Sequence, residues 1–328
     1  MFMNSPIRRG LLTRLAAALP IAALSLSGGL AMAQASNTVR IIVPLGPGSG
    51  ADNISRFIAP RLGAVLGKSV VVENRPGADM LIAVQALLGA PPDGQTLMLI
   101  SPSAVVINPV VLKDLPYDSQ RDLRPVIALT RGESLLVTAA TSPIKTLAEA
   151  LEAARAKPDG LSVANYGHYY RLSAQQLQQR AGVTFTHVPY KGATQSATDL
   201  IGGVIDLSMT DLGGTLPLIR SGKVRALATT GVKRHGDLPD VPTIAESFPG
   251  YQQYVWIGFA VHGKTPDAPA ARLEAALQTV TATPEYRAFI AANGNGEIIN
   301  LDGKQTAAMI ASEIARYRTL VKSLEGGK

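Results

Sequence analysis

Two stretches of the chain gather groups that could hold an anion. The first is Pro44-Leu45-Gly46-Pro47-Gly48-Ser49-Gly50-Ala51-Asp52. It follows a strand-like run, Val39 to Pro44, and precedes apolar residues at helical spacing, Ile54, Ile58, Leu62 and Val65. That puts the loop at the carboxyl end of a strand and the N-terminus of a helix, where ligands bind in open α/β sheets. A helix start offers unpaired N–H groups and about half a positive charge. Glycine lets the backbone approach an anion closely. Leu45, Gly46, Gly48, Ser49, Gly50 and Ala51 are therefore candidate contacts, with an ordinary glycine-rich turn as the alternative. Asp52 reads as a helix cap rather than a contact. The second stretch is Asn165-Tyr166-Gly167-His168-Tyr169-Tyr170-Arg171, again between a strand and a helix. Its amide, imidazole, phenol and guanidinium groups suit an anionic or aromatic ligand, so Asn165, Tyr166, Gly167, His168 and Tyr169 are candidates. The alternative is a solvated polar loop. Two further spots are Pro189-Tyr190-Lys191-Gly192-Ala193-Thr194, with Tyr190 as its candidate, and Thr210-Asp211. Asp211 reads equally as a cap and as a partner for a ligand amino or hydroxyl group.

Other chemistries lack their residues. Gly63-Ala64-Val65-Leu66-Gly67-Lys68-Ser69 imitates a phosphate loop, but it has three residues between its glycines where four are needed, and it follows a helix. Gly46-x-Gly48-x-Gly50 lacks the dinucleotide spacing. No G-x-S-x-G elbow surrounds Ser49. His168, His187, His235 and His262 are scattered, so no metal site is expected; His187 reads as a hydrogen-bonded structural residue. The chain contains no cysteine, which excludes disulfides and thiolate sites. No cofactor is expected, and no catalytic residue. The formal charge of +7 falls once Arg8, Arg9 and Arg14 are removed with a leader. No basic run is interleaved with aromatics, so nucleic acid is not an expected partner.

That leader is read from the arginines, the small and apolar run Leu15 to Met32, and Ala31-Met32-Ala33 as a cleavage site before Gln34. The remainder is long enough for two domains. Strand-like and helical segments alternate along it, which argues for a parallel sheet with helices on both faces. After the elements around the first loop come strands at 70–72, 96–100, 134–139, 161–164, 184–188, 205–209, 224–229 and 254–261. Helices are expected at 82–88, 147–156, 172–180, 194–201, 268–281 and 285–293. A last helix carries Ile310, Ile314, Tyr317, Val321 and Leu324 on one face. An economical arrangement makes 34–136 with 259–328 one domain and 137–258 the other, with strand crossings near 137 and 258 as a hinge.

Several short motifs then recur in a telling order: Ile41-Ile42-Val43-Pro44 with its glycine loop, Glu73-Asn74-Arg75-Pro76-Gly77-Ala78, Pro92-Asp93-Gly94-Gln95-Thr96-Leu97, Leu115-Pro116-Tyr117-Asp118, His187-Val188-Pro189-Tyr190-Lys191-Gly192, Gly222-Lys223-Val224-Arg225-Ala226-Leu227-Ala228 and Pro239-Asp240-Val241-Pro242-Thr243. On these residues the chain resembles the Bug/TctC family of tripartite tricarboxylate transporter receptors, over nearly all of the sequence after the leader. The resemblance implies a type II periplasmic-binding-protein fold: two α/β lobes joined by a two-crossing hinge. The lobes would close on a small carboxylate held by loop N–H groups and bridging waters. It further implies a periplasmic, monomeric receptor that hands its ligand to a membrane permease. A sensor using the same cleft is the alternative; a hydrolase acting through Ser49 or His168 has no evident paired base or orienting acid.

The departures from the family pattern are local. Leu45, Gly46 and Ser49 stand where the family usually has Phe, Pro and Gly, and Asp79-Met80 stand where it has Gly-Gly. The loop that usually runs Ser-x-Gly-x-Gly-Ser/Thr-x-x-His-Leu is shorter here, Asn165 to Leu172, and lacks the second glycine. The expectation is that Asn165, Tyr166, His168 and Tyr169 face the cleft there and favour a compact or aromatic carboxylate over a long tricarboxylate.

Overall fold

A computed structural model describes residues 37–294 and 296–326; the expected leader, 1–33, lies outside the described residues. Packing divides the chain into Met1–Thr38 and Val39–Lys328. Of the first unit only Asn37 and Thr38 are described, and the second carries everything that follows.

The strands are β1 (Thr38–Val43), β2 (Ser69–Asn74), β3 (Thr96–Ile100), β4 (Leu123–Ala139), β5 (Leu161–Asn165), β6 (Phe185–Pro189), β7 (Leu207–Asp211), β8 (Val224–Thr229), β9 (Tyr254–His262) and β10 (Glu297–Asp302). The helices are α1 (Gly50–Leu66), α2 (Leu81–Leu88), α3 (Asn108–Val111), α4 (Leu147–Ala156), α5 (His168–Ala181), α6 (Ala193–Ile201), α7 (Leu212–Arg220), α8 (Ile244–Ser247), α9 (Asp267–Thr281), α10 (Pro284–Ala292) and α11 (Gly303–Gly326). Among the described residues no helix is long and apolar enough to cross a membrane.

The strands form one connected sheet in the order β2-β1-β3-β9-β4-β7-β5-β6, with β8 and β10 also paired to β4. The expected parallel sheet is found only in part. β1 pairs with β3 in parallel, as β5 does with β6 and β7. β9, however, lies antiparallel between β3 and β4. It arrives from the far half of the chain, so no βαβ crossover dictates its direction.

The 17-residue β4 joins the two sections of the sheet. Its first part, Leu123 to Glu133, pairs with β9, and Ser134 to Val137 pair with β7. Only its end, 134–139, reads as a strand in the sequence. Pro125 removes a ladder donor, and the pairing shifts register between Pro125 and Ile127 to accommodate it.

Core placement follows apolar periodicity, with one correction. Ile54, Ile58 and Leu62 on α1 are fully buried, but Val65 is 46% exposed and Leu66 takes its place inside. The buried positions fall four apart, so the stripe drifts around the helix. On α11, Ile310, Ile314 and Tyr317 are buried as expected.

Candidate functional site

The glycine loop is locked from within. Ser49 is the N-cap of α1: its fully buried hydroxyl accepts the Asp52 N–H at 3.2 Å. The expected cap, Asp52, lies instead in the first turn, where its 2%-exposed carboxylate is an anchor. It accepts the Gly48 N–H at 3.0 Å, Asn74 Nδ2 at 2.9 Å and Arg56 Nε at 3.0 Å. Asn74 Nδ2 also donates to the Leu45 carbonyl at 2.9 Å. Burial alone would raise the Asp52 pKa, but these donors outweigh it and hold the carboxyl below its usual range. One N–H expected to meet an anion, that of Gly48, is thus already satisfied by the chain's own carboxylate. Gly48 itself is left-handed at φ 82°, and a Cβ there would sit 3.2 Å from Thr194 Oγ1.

The segment before α2 is built differently. Ala78, Asp79 and Met80 all have left-handed backbones, φ 46°, 49° and 74°. Such residues each cost roughly 1–2 kcal/mol relative to ordinary helical geometry. Three contacts hold them. Asn108 Nδ2 donates to the Asp79 carbonyl at 2.8 Å, the Met80 N–H donates to the Gly77 carbonyl at 3.0 Å, and the Met80 side chain is buried, with Sδ 3.5 Å from Ser101 Oγ.

The second candidate stretch is mostly helix. α5 begins at His168, four residues before the expected Leu172, so His168 to Arg171 form its first turn rather than a loop. Gly167 precedes it at φ 81° with no side-chain cap. The Tyr169 N–H donates to Ser103 Oγ at 3.1 Å, and a Cβ on Gly167 would come within 2.8 Å of the same oxygen. Only glycine permits this approach.

These segments enclose two cavities. The larger, about 360 Å³, is lined by Pro44, Leu45, Gly77, Ala78, Asp79, Met80, Tyr166, Gly167, Pro189, Tyr190, Lys191 and Gln195. The smaller, about 60 Å³, lies beyond Leu45 and Met80, which line both; Gly50, Ala51, Ser103, Glu133, Tyr169, Asp211 and Trp256 are among its other walls. The larger suits a compact organic ligand. The α5 start at Gly167 and the α6 segment at Lys191 and Gln195 reach it, and neither helix has a side-chain cap. Their partial positive ends and Lys191 make the lining there favourable for an anion.

The expected site residues are thus divided. Leu45, Tyr166, Gly167 and Tyr190 line the larger cavity; Leu45, Gly50, Ala51, Tyr169 and Asp211 line the smaller. Gly46 meets the second section instead: a Cβ on Gly192 would lie 3.2 Å from its N atom. Asn165 is buried and lines neither cavity, bonding the Val163 carbonyl at 3.3 Å and His187 Nδ1 at 3.5 Å. His187 Nε2 is buried without a partner, and burial pushes the imidazole pKa down to about 4. Asp211 is the N-cap of α7, accepting the Gly214 N–H at 2.6 Å, and its other oxygen accepts the Tyr166 hydroxyl. The Tyr166 oxygen in turn accepts the Asp211 N–H at 2.8 Å. Tyr170 packs tilted against Tyr166 and edge-on against Tyr169, with ring centroids 4.4 and 5.1 Å apart, and burial pushes all three phenols well above their ordinary range.

His168 turns toward Asn108 Oδ1 at 2.7 Å and Asp79 Oδ2 at 3.5 Å. Burial lowers its pKa, Asp79 opposes that, and Arg171 adds to it; the net direction is down. Asp79 is therefore an acid beside His168 that sequence spacing does not reveal, since 89 positions separate them. Asp79 and Met80 stand out in the sequence only as departures from a glycine pair, and Ala78 only as the end of a matching motif. Among the described residues no cluster of three metal-ligating side chains occurs.

Residues 54–325 match the model of the tripartite tricarboxylate transporter family receptor. A relative from Bordetella bronchiseptica, a UPF0065 protein, is 31% identical over 315 residues, 96% of this chain and 94% of its own. Among solved structures, the periplasmic binding protein BugD superposes with a TM-score of 0.83 at 28% identity, covering 88% of this chain and 98% of its own. Rpa4515 of R. palustris, solved with adipate, gives 0.84 at 28% identity over the same shares, 88% and 98%. MatC from Rhodopseudomonas palustris, solved with malate, gives 0.80 at 28% identity over 87% and 98%. With both the sequence and the mixed α/β architecture matched over most of their length, this chain belongs to the tripartite tricarboxylate transporter receptor family, whose solved neighbours are periplasmic binding proteins.

Proposed function

We propose that the protein is an extracytoplasmic receptor that captures a small carboxylate in the 360 Å³ cavity and delivers it to the membrane permease of a tripartite tricarboxylate-type transporter. The observation that carries this reading is the convergence of two uncapped helix starts and Lys191 on the lining of one cavity. The carboxylates in the Rpa4515 and MatC structures support it. In this reading 34–136 with 259–328 and 137–258 are lobes that close over the ligand. The exchange of β4 partners between Glu133 and Ser134 supports a hinge at that level of the sheet. Loop contacts across the cleft, such as Thr194 Oγ1 donating to the Pro47 carbonyl at 2.8 Å, then belong to the closed form. The leader would direct the chain to the periplasm, where it acts as a monomer without catalysis.

A thermal-shift screen of mono-, di- and tricarboxylates tests the reading. A ligand at 100 times its Kd adds about 2.7 kcal/mol to folded-state stability, which raises Tm by several degrees. A flat response to every carboxylate, repeated by calorimetry, would refute it.

A further inference from the structure

We propose that Asp79 makes this cavity select an amino-carboxylate, a ligand with one carboxylate and one ammonium group, over a dicarboxylate. This rests on the reading that the cavity binds a carboxylate.

Two side chains of opposite charge, Asp79 and Lys191, line the cavity. Lys191 stands beside the α6 start, a pairing that suits a carboxylate. Asp79 stands on the strained segment before α2, with its side chain 44% exposed. A second ligand carboxylate brought beside Asp79 would meet a like charge, whereas an ammonium group would be attracted.

The neighbouring histidine does not supply the missing positive charge. Asn108 Nδ2 donates to the Asp79 carbonyl at 2.8 Å, which fixes the orientation of the amide. Asn108 Oδ1 therefore faces His168 Nδ1 at 2.7 Å, and that nitrogen carries the imidazole proton. In neutral His168 the bare Nε2 then looks at Asp79 Oδ2 from 3.5 Å. Both atoms are acceptors. Burial and Arg171 both push the imidazole toward its neutral form, so the carboxylate keeps acceptor capacity for a donor cation. The backbone strain at Asp79 is also informative. Nothing in the turn requires an acid there, and glycine would relieve the left-handed geometry; the position on the cavity lining carries a carboxylate regardless.

The test is titration calorimetry of the purified protein with two length-matched pairs, 4-aminobutyrate against glutarate and β-alanine against succinate, and with propionate as a monocarboxylate reference. The wild-type protein is expected to bind the amino acid of at least one pair tenfold or more tighter than its diacid. Asp79→Asn keeps size and tolerates the left-handed backbone, and Asp79→Gly removes the side chain and the strain together. Both should shrink that preference at least tenfold, chiefly by strengthening the diacid and weakening the amino acid, with melting curves confirming that each is folded. A wild-type preference for the diacids, or an amino-acid preference that both variants leave unmoved, would overturn the role of Asp79 while leaving carboxylate capture standing. Silence from wild type and variants toward every acid tested would overturn the receptor reading, and this one with it.

Discussion

At Gly48 the backbone turns left-handed, φ 82°, on a residue without a Cβ; at Ala78, Asp79 and Met80 it does so three times on residues that have one. The two segments flank the same cavity, and each leads into a helix. The first avoids strain by using glycine and closes on itself through Asp52, which takes up Gly48, Asn74 and Arg56. The second accepts strain and is held from outside, by Asn108 on its carbonyl and by burial of Met80. A carboxylate therefore ends up in opposite places. In the glycine loop it is buried beneath the turn and serves the fold; in the strained segment it stands exposed beside the cavity and is available to a ligand. Residue type alone would have treated Asp52 and Asp79 alike.

The contrast breaks most severely at Asp52. Asp52→Ala leaves the Gly48 and Asn74 donors without their acceptor, and we expect a loss of about 1.5–3 kcal/mol in urea unfolding, the range for charged hydrogen bonds. The sign of its pH dependence is set by the lowered folded pKa. The carboxylate's contribution is complete above the unfolded value, near 3.8, and disappears as pH falls through the lower folded value. The stability gap between wild type and variant should therefore narrow in strong acid; a gap that widens there would contradict the anchoring role.

Gly48→Val comes next. It forces a branched side chain into a left-handed position and against Thr194, at a cost of about 1–2 kcal/mol. Because Thr194 lies on α6, whose start reaches the cavity, carboxylate affinity should also fall by tenfold or more in calorimetry. Normal affinity would show that the two loops need not approach each other.

Ser49→Ala sharpens the same point at smaller scale. The hydroxyl is a buried cap, so the variant should lose about 1 kcal/mol of stability and almost no ligand affinity. A selective loss of affinity would instead make Ser49 a contact. The smallest effect expected is a gain: Ala78→Gly removes one left-handed Cβ, offset by the entropy of glycine, and should stabilise the protein by about 0.5–1 kcal/mol. The reverse exchange in the other segment, Gly48→Ala, should destabilise it. If both changes had the same sign, backbone strain would not distinguish the two segments.

Much of this molecule was legible in the residue order. α4 runs over Leu147–Ala156 as its apolar spacing dictates, capped by Thr146 and stopped before Pro158. β3 and β8 coincide with their apolar runs. Such elements depend on neighbours within a turn or two, where periodicity, caps and proline act directly. The ordered motifs were likewise enough to point to the receptor family. What tertiary structure decided is of longer range. β4 extends through Pro125 and Arg131 because β9 is there to pair with it, and α5 starts at His168 because Ser103 meets its first turn. Ala78 to Met80 hold a glycine-like backbone because Asn108, 29 positions beyond Asp79, grips the carbonyl. The same distance in sequence separates a pattern that local chemistry can write from a cavity that exists only when remote segments meet: the pair of charges at Asp79 and Lys191 is carried by the sequence, but their facing one ligand-sized space is a property of the fold.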